Sequence, residues 1–237
     1  LLLINENPGE IKLLETLRDL SLYTKNYETA YNSIIKIEEI IGSSIEILFQ
    51  KSALQEELDN FNLALDFMHE AYNKDSLNID ILNRIVTLYI NQDKNDKAVF
   101  FNQKIIKNFP NDSKGFINNA LMALSRESPE DAIEVLSSNS KNFLNDFTFQ
   151  YLLGTSYYQM KNYSDAEKHL NLALDIYPES RNTKHNLALI YDAVKDWESS
   201  DKLYMELITG DSLDAQAYNS FAYSLVEREV NLDFALQ

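Results

Sequence analysis

The sequence predicts an all-α fold, an α-solenoid of stacked antiparallel helix pairs, and three periodic features predict it. Stepping in units of 34 from Ala166 reaches Ala30, Ala64, Ala98, Ala132 and Ser200, an unbroken row of small residues. Twelve places ahead of each stands a second row, Arg18, Ser52, Val86, Ala120, Gly154 and Ala188, which runs on to Ala222. Small side chains there let two helices approach closely, because bulk would hold their backbones apart. Pro8, Pro110 and Pro178 share a third phase, with Gly42, Ser76, Leu144 and Ser212 at the intervening joints. A fixed φ and a missing N–H at such a joint end a helix.

The most regular stretch is FTFQYLLGTSYYQMKNYSDAEKHLNLALDIYPES, residues 147 to 180. Leu153, Gly154, Tyr157, Ala166, Leu170, Ala173 and Pro178 stand where a helix–turn–helix repeat needs small and apolar groups, and the stretch resembles the tetratricopeptide-repeat (TPR) family. The resemblance implies a right-handed superhelix, with repeats beginning at residues 11, 45, 79, 113, 147, 181 and 215.

Taken in order, residues 1–10 read as the end of a preceding repeat that closes at Pro8; because the chain opens on Leu1 instead of Met, we expect a fragment. Repeat 11–44 is the degenerate one: Leu14 and Leu17 serve its first helix and Ala30, Ile34 and Ile37 its second, but Arg18 breaks the small-residue row and predicts looser packing. Repeat 45–78 carries Leu48, Ser52, Ala64, Met68 and Ala71. Asn26-Tyr27, Asn60-Phe61, Asn162-Tyr163 and Asp196-Trp197 each place an aromatic where it covers the corner between antiparallel helices. Repeat 79–112 is nearly regular, with Leu82, Ile85, Tyr89, Ala98, Ile105 and Pro110.

In repeat 113–146, Ser128 is positioned as N-cap and Pro129 as first helical residue. The run Ser137-Ser138-Asn139-Ser140 is poor helix interior, so this second helix is irregular and ends early, with a local bend or looser packing. Repeat 147–180 offers a capping box from Ser164 to Glu167. Repeat 181–214 keeps Leu187, Ala188, Tyr191, Tyr204 and Leu207. Repeat 215–237 is truncated; its small residue falls at Ala235 instead of 234, which predicts a turn one residue longer around Val230 and Asn231. It resembles the closing repeats of bacterial TPR proteins, many exported or envelope-associated. Its helix breaks off at the chain end, so Leu236 and its neighbours need cover from further sequence or a partner.

Composition removes whole classes of function. The 237 residues are 45% hydrophobic, with net charge −16 from 21 basic and 37 acidic side chains. Nucleic-acid phosphates and anionic membranes call for clustered Lys and Arg, and the sequence has no such stripe. Without cysteine there is neither disulfide nor thiolate chemistry. No apolar run approaches the ~18 residues of a membrane span. His69, His169 and His185 lie in different repeats and helical phases, so they do not build a zinc site and read as surface or groove histidines. Glu38-Glu39 and Glu56-Glu57 are adjacent acids about 100° apart on a helix, which marks a solvated face. Gly154 stands alone in a helix and is no phosphate loop. Asn111-Asp112-Ser113 and Asn162-Tyr163-Ser164 match the glycosylation pattern at joints where Asn and Ser are expected anyway. No catalytic constellation, metal site or cofactor motif remains, and we read the chain as no enzyme.

In TPR proteins that bind peptides, first-helix residues one, four, five, eight, eleven and twelve places after the repeat start face the groove. The resemblance therefore points to Phe49, Asn83, Arg84, Ile117, Asn118, Leu121, Tyr151, Thr155, Tyr158, His185, Asn186, Leu189, Asn219 and Tyr223. Aromatics there supply area, and side-chain amides pair with an extended backbone; the competing role is packing between neighbouring first helices. The subclass that clamps a C-terminal carboxylate is set aside, because Glu15 and Asp19 open the array and Lys114 and Arg84 come in the wrong order. The leading reading is a non-catalytic interaction scaffold whose partner is another protein or peptide. Two rivals are the substrate-recognition arm of an enzyme whose catalytic domain lies outside the chain, as some glycosyltransferases carry, and self-association through open solenoid ends. For location, the cytoplasm and the bacterial periplasm or envelope both stay open.

Overall fold

The computed structural model describes residues 8–211 and 213–235, and among them only helices, turns and connecting coil occur. Ser212, Leu236 and the expected preceding helix end in residues 1–7 lie outside the described residues. The chain divides into two compact units, Leu1–Asn118 and Asn119–Gln237.

In the first unit, α1 (Pro8–Tyr23) pairs with α2 (Tyr27–Ile41), α3 (Ile45–Glu57) with α4 (Phe61–Lys74), and α5 (Ile79–Ile90) with α6 (Asn95–Asn108). The unit boundary falls within α7 (Lys114–Leu124). The second unit contains α8 (Pro129–Ser137), then α9 (Phe147–Gln159) paired with α10 (Tyr163–Ile176), α11 (Arg181–Ala193) with α12 (Trp197–Gly210), and α13 (Ala215–Glu227) with α14 (Leu232–Ala235). Within each unit the second helix of a pair also packs on the first helix of the next. The first helices that begin at Ile45, Ile79, Phe147, Arg181 and Ala215 keep the 34-residue step.

One joint recurs inside every pair. Lys25, Asp59, Asp93, Glu127, Lys161, Lys195 and Glu229, each 34 residues from the next, adopt a left-handed backbone with φ between 55° and 63°. In the fifth of these, the Lys161 N–H donates to the Tyr158 carbonyl at 2.8 Å and the Asn162 N–H to the Tyr157 carbonyl at 3.0 Å. These two bonds define a Schellman motif, which satisfies carbonyls that the end of a helix leaves open. All seven joints make the same pair of bonds.

The residue that closes the first helix also opens the second. Asn162 accepts from the Asp165 N–H, as Asn26 and Asp196 accept from Thr29 and Ser199. This corrects the capping box expected of Ser164 and Glu167: α10 already begins at Tyr163, so Ser164 lies inside its first turn and Asn162 holds the cap. Ser128 does precede Pro129 as the N-cap residue of α8, but its hydroxyl makes no capping bond. Pro8 is the first residue of α1; there a missing N–H is harmless, since the first turn of a helix lacks acceptors for it.

The small-residue rows lie where the helices meet. Ala30, Ala64, Ala98, Ala132, Ala166 and Ser200 are all fully buried, as are Ser52, Val86, Ala120 and Ala188 of the second row. A Cβ added at Gly154 would stand 2.7 Å from Leu170 Cγ and 3.1 Å from the Leu170 backbone nitrogen. Around these contacts the first unit gathers Leu14, Ile34, Ile37, Ile47 and Leu54, and the second gathers Tyr204, Leu207, Phe221 and Leu225. Arg18 alone puts a long side chain into the row, and its guanidinium reaches Asp19 at 2.9 Å and Gln50 at 3.3 Å.

α8 stops at Ser137, and turns follow it. The Ser138 hydroxyl donates to the Glu134 carbonyl and the Asn139 amide to the Val135 carbonyl. The Glu134 carbonyl still accepts from the Ser138 N–H, but the Val135 carbonyl is taken by the Asn139 side chain while the Asn139 backbone N–H, which a longer helix would place there, turns to Leu136. Between the left-handed Glu229 and α14 stand two residues, Val230 and Asn231, where each of the other joints has one, and Asn231 is itself at φ 46°.

Candidate functional site

The first helices carry the residues with groove offsets, and each unit presents its own set. In the first unit a hydrogen-bonded amide chain occupies much of that surface. Asn118, 1% exposed, donates to Asn83 Oδ1 at 2.9 Å and to Asn102 Oδ1 at 3.0 Å. Asn102 in turn donates to the Gly115 carbonyl at 2.8 Å. Asn118 is therefore withdrawn from solvent, and its amide is spent inside the protein. Phe49 and Ile117 are half-buried. Arg84 pairs with Glu56, whose other oxygen accepts from Asn91 at 3.1 Å.

The same unit contains a cleft of about 610 Å³ lined by Arg18, Leu22, Gln50, Leu54, Glu57 and Arg84. Of these, only Arg84 is among the fourteen residues that the sequence singled out. Gln50 and Glu57 stand five and twelve places after the repeat start, the offsets already in use, as do Ala53 and Glu56 at eight and eleven. The signal was present for all four, but their mixed polarity did not mark them.

In the second unit, Asn186 donates to the Tyr151 hydroxyl at 3.2 Å, and Tyr151 stacks on Phe147 with ring centroids 5.8 Å apart. His185, buried, meets the Ser220 hydroxyl at 2.9 Å. Thr155 spends its hydroxyl on the Leu152 carbonyl of its own helix. Tyr158 is half-buried against Tyr163, and burial holds its pKa above the ordinary phenol value. Leu121 is half-buried as well. Leu189, Asn219 and Tyr223 instead line an open cleft of about 430 Å³ together with Asp192, Trp197 and Ser220. Tyr223 is 73% exposed there, and Asn219 is exposed beside it.

Three of these bonds share one spacing: Asn83 with Asn118, Tyr151 with Asn186, and His185 with Ser220 are all 35 residues apart. The fifth residue of one repeat thereby meets the sixth of the next, and a polar side chain at either place is drawn between neighbouring first helices. The eleven- and twelve-place offsets lie nearer the ends of the first helices. Asp192, one of them, accepts from Tyr204 at 3.0 Å and Ser224 at 2.9 Å.

The histidines are buried or half-buried and each is hydrogen-bonded, so none stands free on the surface, and only His185 holds a groove offset. His169 is buried between α9 and α10, bonded to Gln150 Oε1 at 2.8 Å and stacked on Tyr157. His69 meets the Tyr89 hydroxyl at 2.9 Å. Burial comes first among the causes that hold all three imidazoles below their ordinary pKa. Among the described residues no group of three acidic or imidazole side chains is placed to hold a metal ion. No described helix is long and apolar enough to cross a membrane.

Residues 91–173 match the family model described as anaphase-promoting complex, cyclosome, subunit 3. No curated protein matches the chain. Among solved structures, the thermophilic TPR protein TTC0263 of Thermus thermophilus is 13% identical, with a TM-score of 0.62 over 77% of this chain and 100% of that one. PilF of Pseudomonas aeruginosa is 17% identical, with a TM-score of 0.63 over 91% of this chain and 98% of that one. YrrB, described as a TPR protein with an unusual peptide-binding site, is 14% identical, with a TM-score of 0.51 over 83% of this chain and 98% of that one. At these identities the likeness is one of fold.

Proposed function

Since the chain folds as a tetratricopeptide-repeat solenoid, we propose that it is a non-catalytic interaction scaffold that holds a peptide or a partner's helix against its first helices. One observation carries this reading: Tyr223 stands 73% exposed on the wall of an open cleft, beside the exposed Asn219 and the half-buried Leu189. An aromatic ring gives a partner large contact area at low entropic cost, and a neighbouring amide offers both a donor and an acceptor to a peptide backbone. The peptide-binding site of YrrB, whose fold is similar, adds support by analogy. Tyr151 and Tyr158 serve this role less well than Tyr223, because their rings are already partly engaged within the unit.

The test is site-specific photocrosslinking in the native cell. A photoreactive phenylalanine analogue at Tyr223 is expected to crosslink a partner, and Leu189→Ala with Asn219→Ala in the same chain is expected to suppress that crosslink while circular dichroism stays unchanged. A crosslink that persists undiminished in the double variant, or that forms equally from Phe100 on α6, would remove the cleft from the interaction.

A further inference from the structure

We infer that the cleft of the first unit docks a peptide that carries an apolar residue next to a basic one, the apolar side chain entering the cleft and the basic one reaching Glu57. The inference takes from the preceding reading that the partner is a peptide, and goes beyond it in naming that peptide's chemistry and a second, separate subsite.

The cleft opens where the sequence departs from its own rule. At the equivalent places in the following pairs, Ser52, Val86, Ala120 and Ala188 are fully buried. Arg18 stands there in the first pair, held by Asp19 and Gln50. Its side chain reaches across from α1 to α3, and with Gln50 and Leu54 it lines a cleft of about 610 Å³. That is within the range of sites that accept several side chains. The lining is apolar below: Ile34 and Leu54 are 1% and 3% exposed, and Leu22, 42% exposed, forms a wall that an entering aliphatic group would cover.

Charge on the rim selects the neighbour of that group. Both guanidinium groups are already matched, Arg18 by Asp19 and Arg84 by Glu56. Glu57 is the exposed acid with no basic partner among the described residues; it meets the Tyr27 hydroxyl, whose pKa it holds above the ordinary phenol value. Three carboxylates therefore face two cations on the rim, in a unit with 12 basic against 18 acidic residues. An incoming cation completes the set, whereas an incoming carboxylate would be repelled.

The experiment uses the full chain with isotopically labelled methyl groups, titrated at low salt with three synthetic nonapeptides of Gly and Ser that differ only in a central Leu-Lys, Leu-Glu or Ser-Lys. The Leu-Lys peptide is expected to shift the methyl resonances of Leu22, Ile34 and Leu54 saturably, and the other two to bind more weakly. Glu57→Gln should weaken the Leu-Lys peptide by about two- to fivefold, the size of an exposed ion pair. Ala53→Trp, a substitution at an exposed residue on the mouth of the cleft, should abolish the shifts. Equal affinity for Leu-Lys and Leu-Glu, or no effect of Glu57→Gln, would overturn the charge assignment and leave the peptide reading in place. If no peptide moves these methyls while the Tyr223 crosslink still forms, the cleft is not a docking site; loss of the crosslink result itself would strike the reading on which the inference rests.

Discussion

The seven left-handed joints make a prediction whose size follows from the structure. Lys161 holds φ at 57°, is exposed, and takes part in no ion pair among the described residues. Left-handed backbone costs a residue with a Cβ about 1–2 kcal/mol. Replacing Lys161 by Gly removes that cost but adds unfolded-state entropy, which takes back about 0.5–1 kcal/mol. The two Schellman bonds run from backbone N–H groups to backbone carbonyls, so the substitution leaves them untouched. Lys161→Gly is therefore expected to stabilise the chain by about 0.5–1 kcal/mol. Asp59→Gly and Lys195→Gly, at joints in other pairs, should add to it almost independently. Equilibrium urea unfolding followed by circular dichroism measures the gain as a higher midpoint, and for a chain of this length each kcal/mol corresponds to about 2–4 °C in thermal midpoint. A lower midpoint for the single or the triple variant would mean that these joints are not left-handed in solution, or that their side chains hold contacts of greater worth.

Two further predictions use the same assay. Gly154→Ala gains helix propensity of about 1 kcal/mol but drives a Cβ to 2.7 Å from Leu170 Cγ; overpacking of that kind costs about 1–3 kcal/mol, so net destabilisation is expected, whereas Gly9→Ala, with nothing within 4 Å of the new carbon, should stabilise. On acidification, stability should fall from the neutral range downward. His69, His169 and His185 hold lower pKa values folded than unfolded, so the unfolded chain binds more protons below the free imidazole value of about 6.5. The loss begins near that value and continues down to the folded pKa, and His169→Gln with His185→Gln should flatten it. Asp214, held low by the Ala217 N–H and then by Arg181, adds its own loss only at more acid pH, as pH falls past its unfolded value and through its folded one.

How much of the fold was legible follows from which residues its period constrains. A buried contact between helices tolerates few side chains, so the alanine row wrote itself into the sequence, and all six of its members are fully buried. The joints recur with the same 34-residue step, yet they were invisible: Lys25, Asp59, Asp93, Glu127, Lys161, Lys195 and Glu229 are all charged residues of the kind any exposed surface carries, and none is glycine. Their conformation is imposed by the two helices that converge on them, not by local preference. Cap chemistry fell between these cases. Asn162 and Ser164 both suit a helix start, and the choice belongs to the Schellman turn, which fixes where α10 can begin.

The candidate site was legible as a face but not as a set of free side chains, because offsets name directions and hydrogen bonds decide availability. A residue four places into one first helix and a residue five places into the next are brought together by stacking, which accounts for the 35-residue spacing of three separate bonds. Polar side chains there satisfy one another: Asn118 is the extreme case, buried with two acceptors. The open surface is displaced to later positions, where Tyr223 and Glu57 stand eight and twelve places into their helices. Reading the offsets pairwise, one repeat against the next, would have separated the two groups from sequence alone. It would also have drawn attention to Arg18, because a long cation inside a row of small residues reaches across to Gln50 of α3 and lines the cleft there.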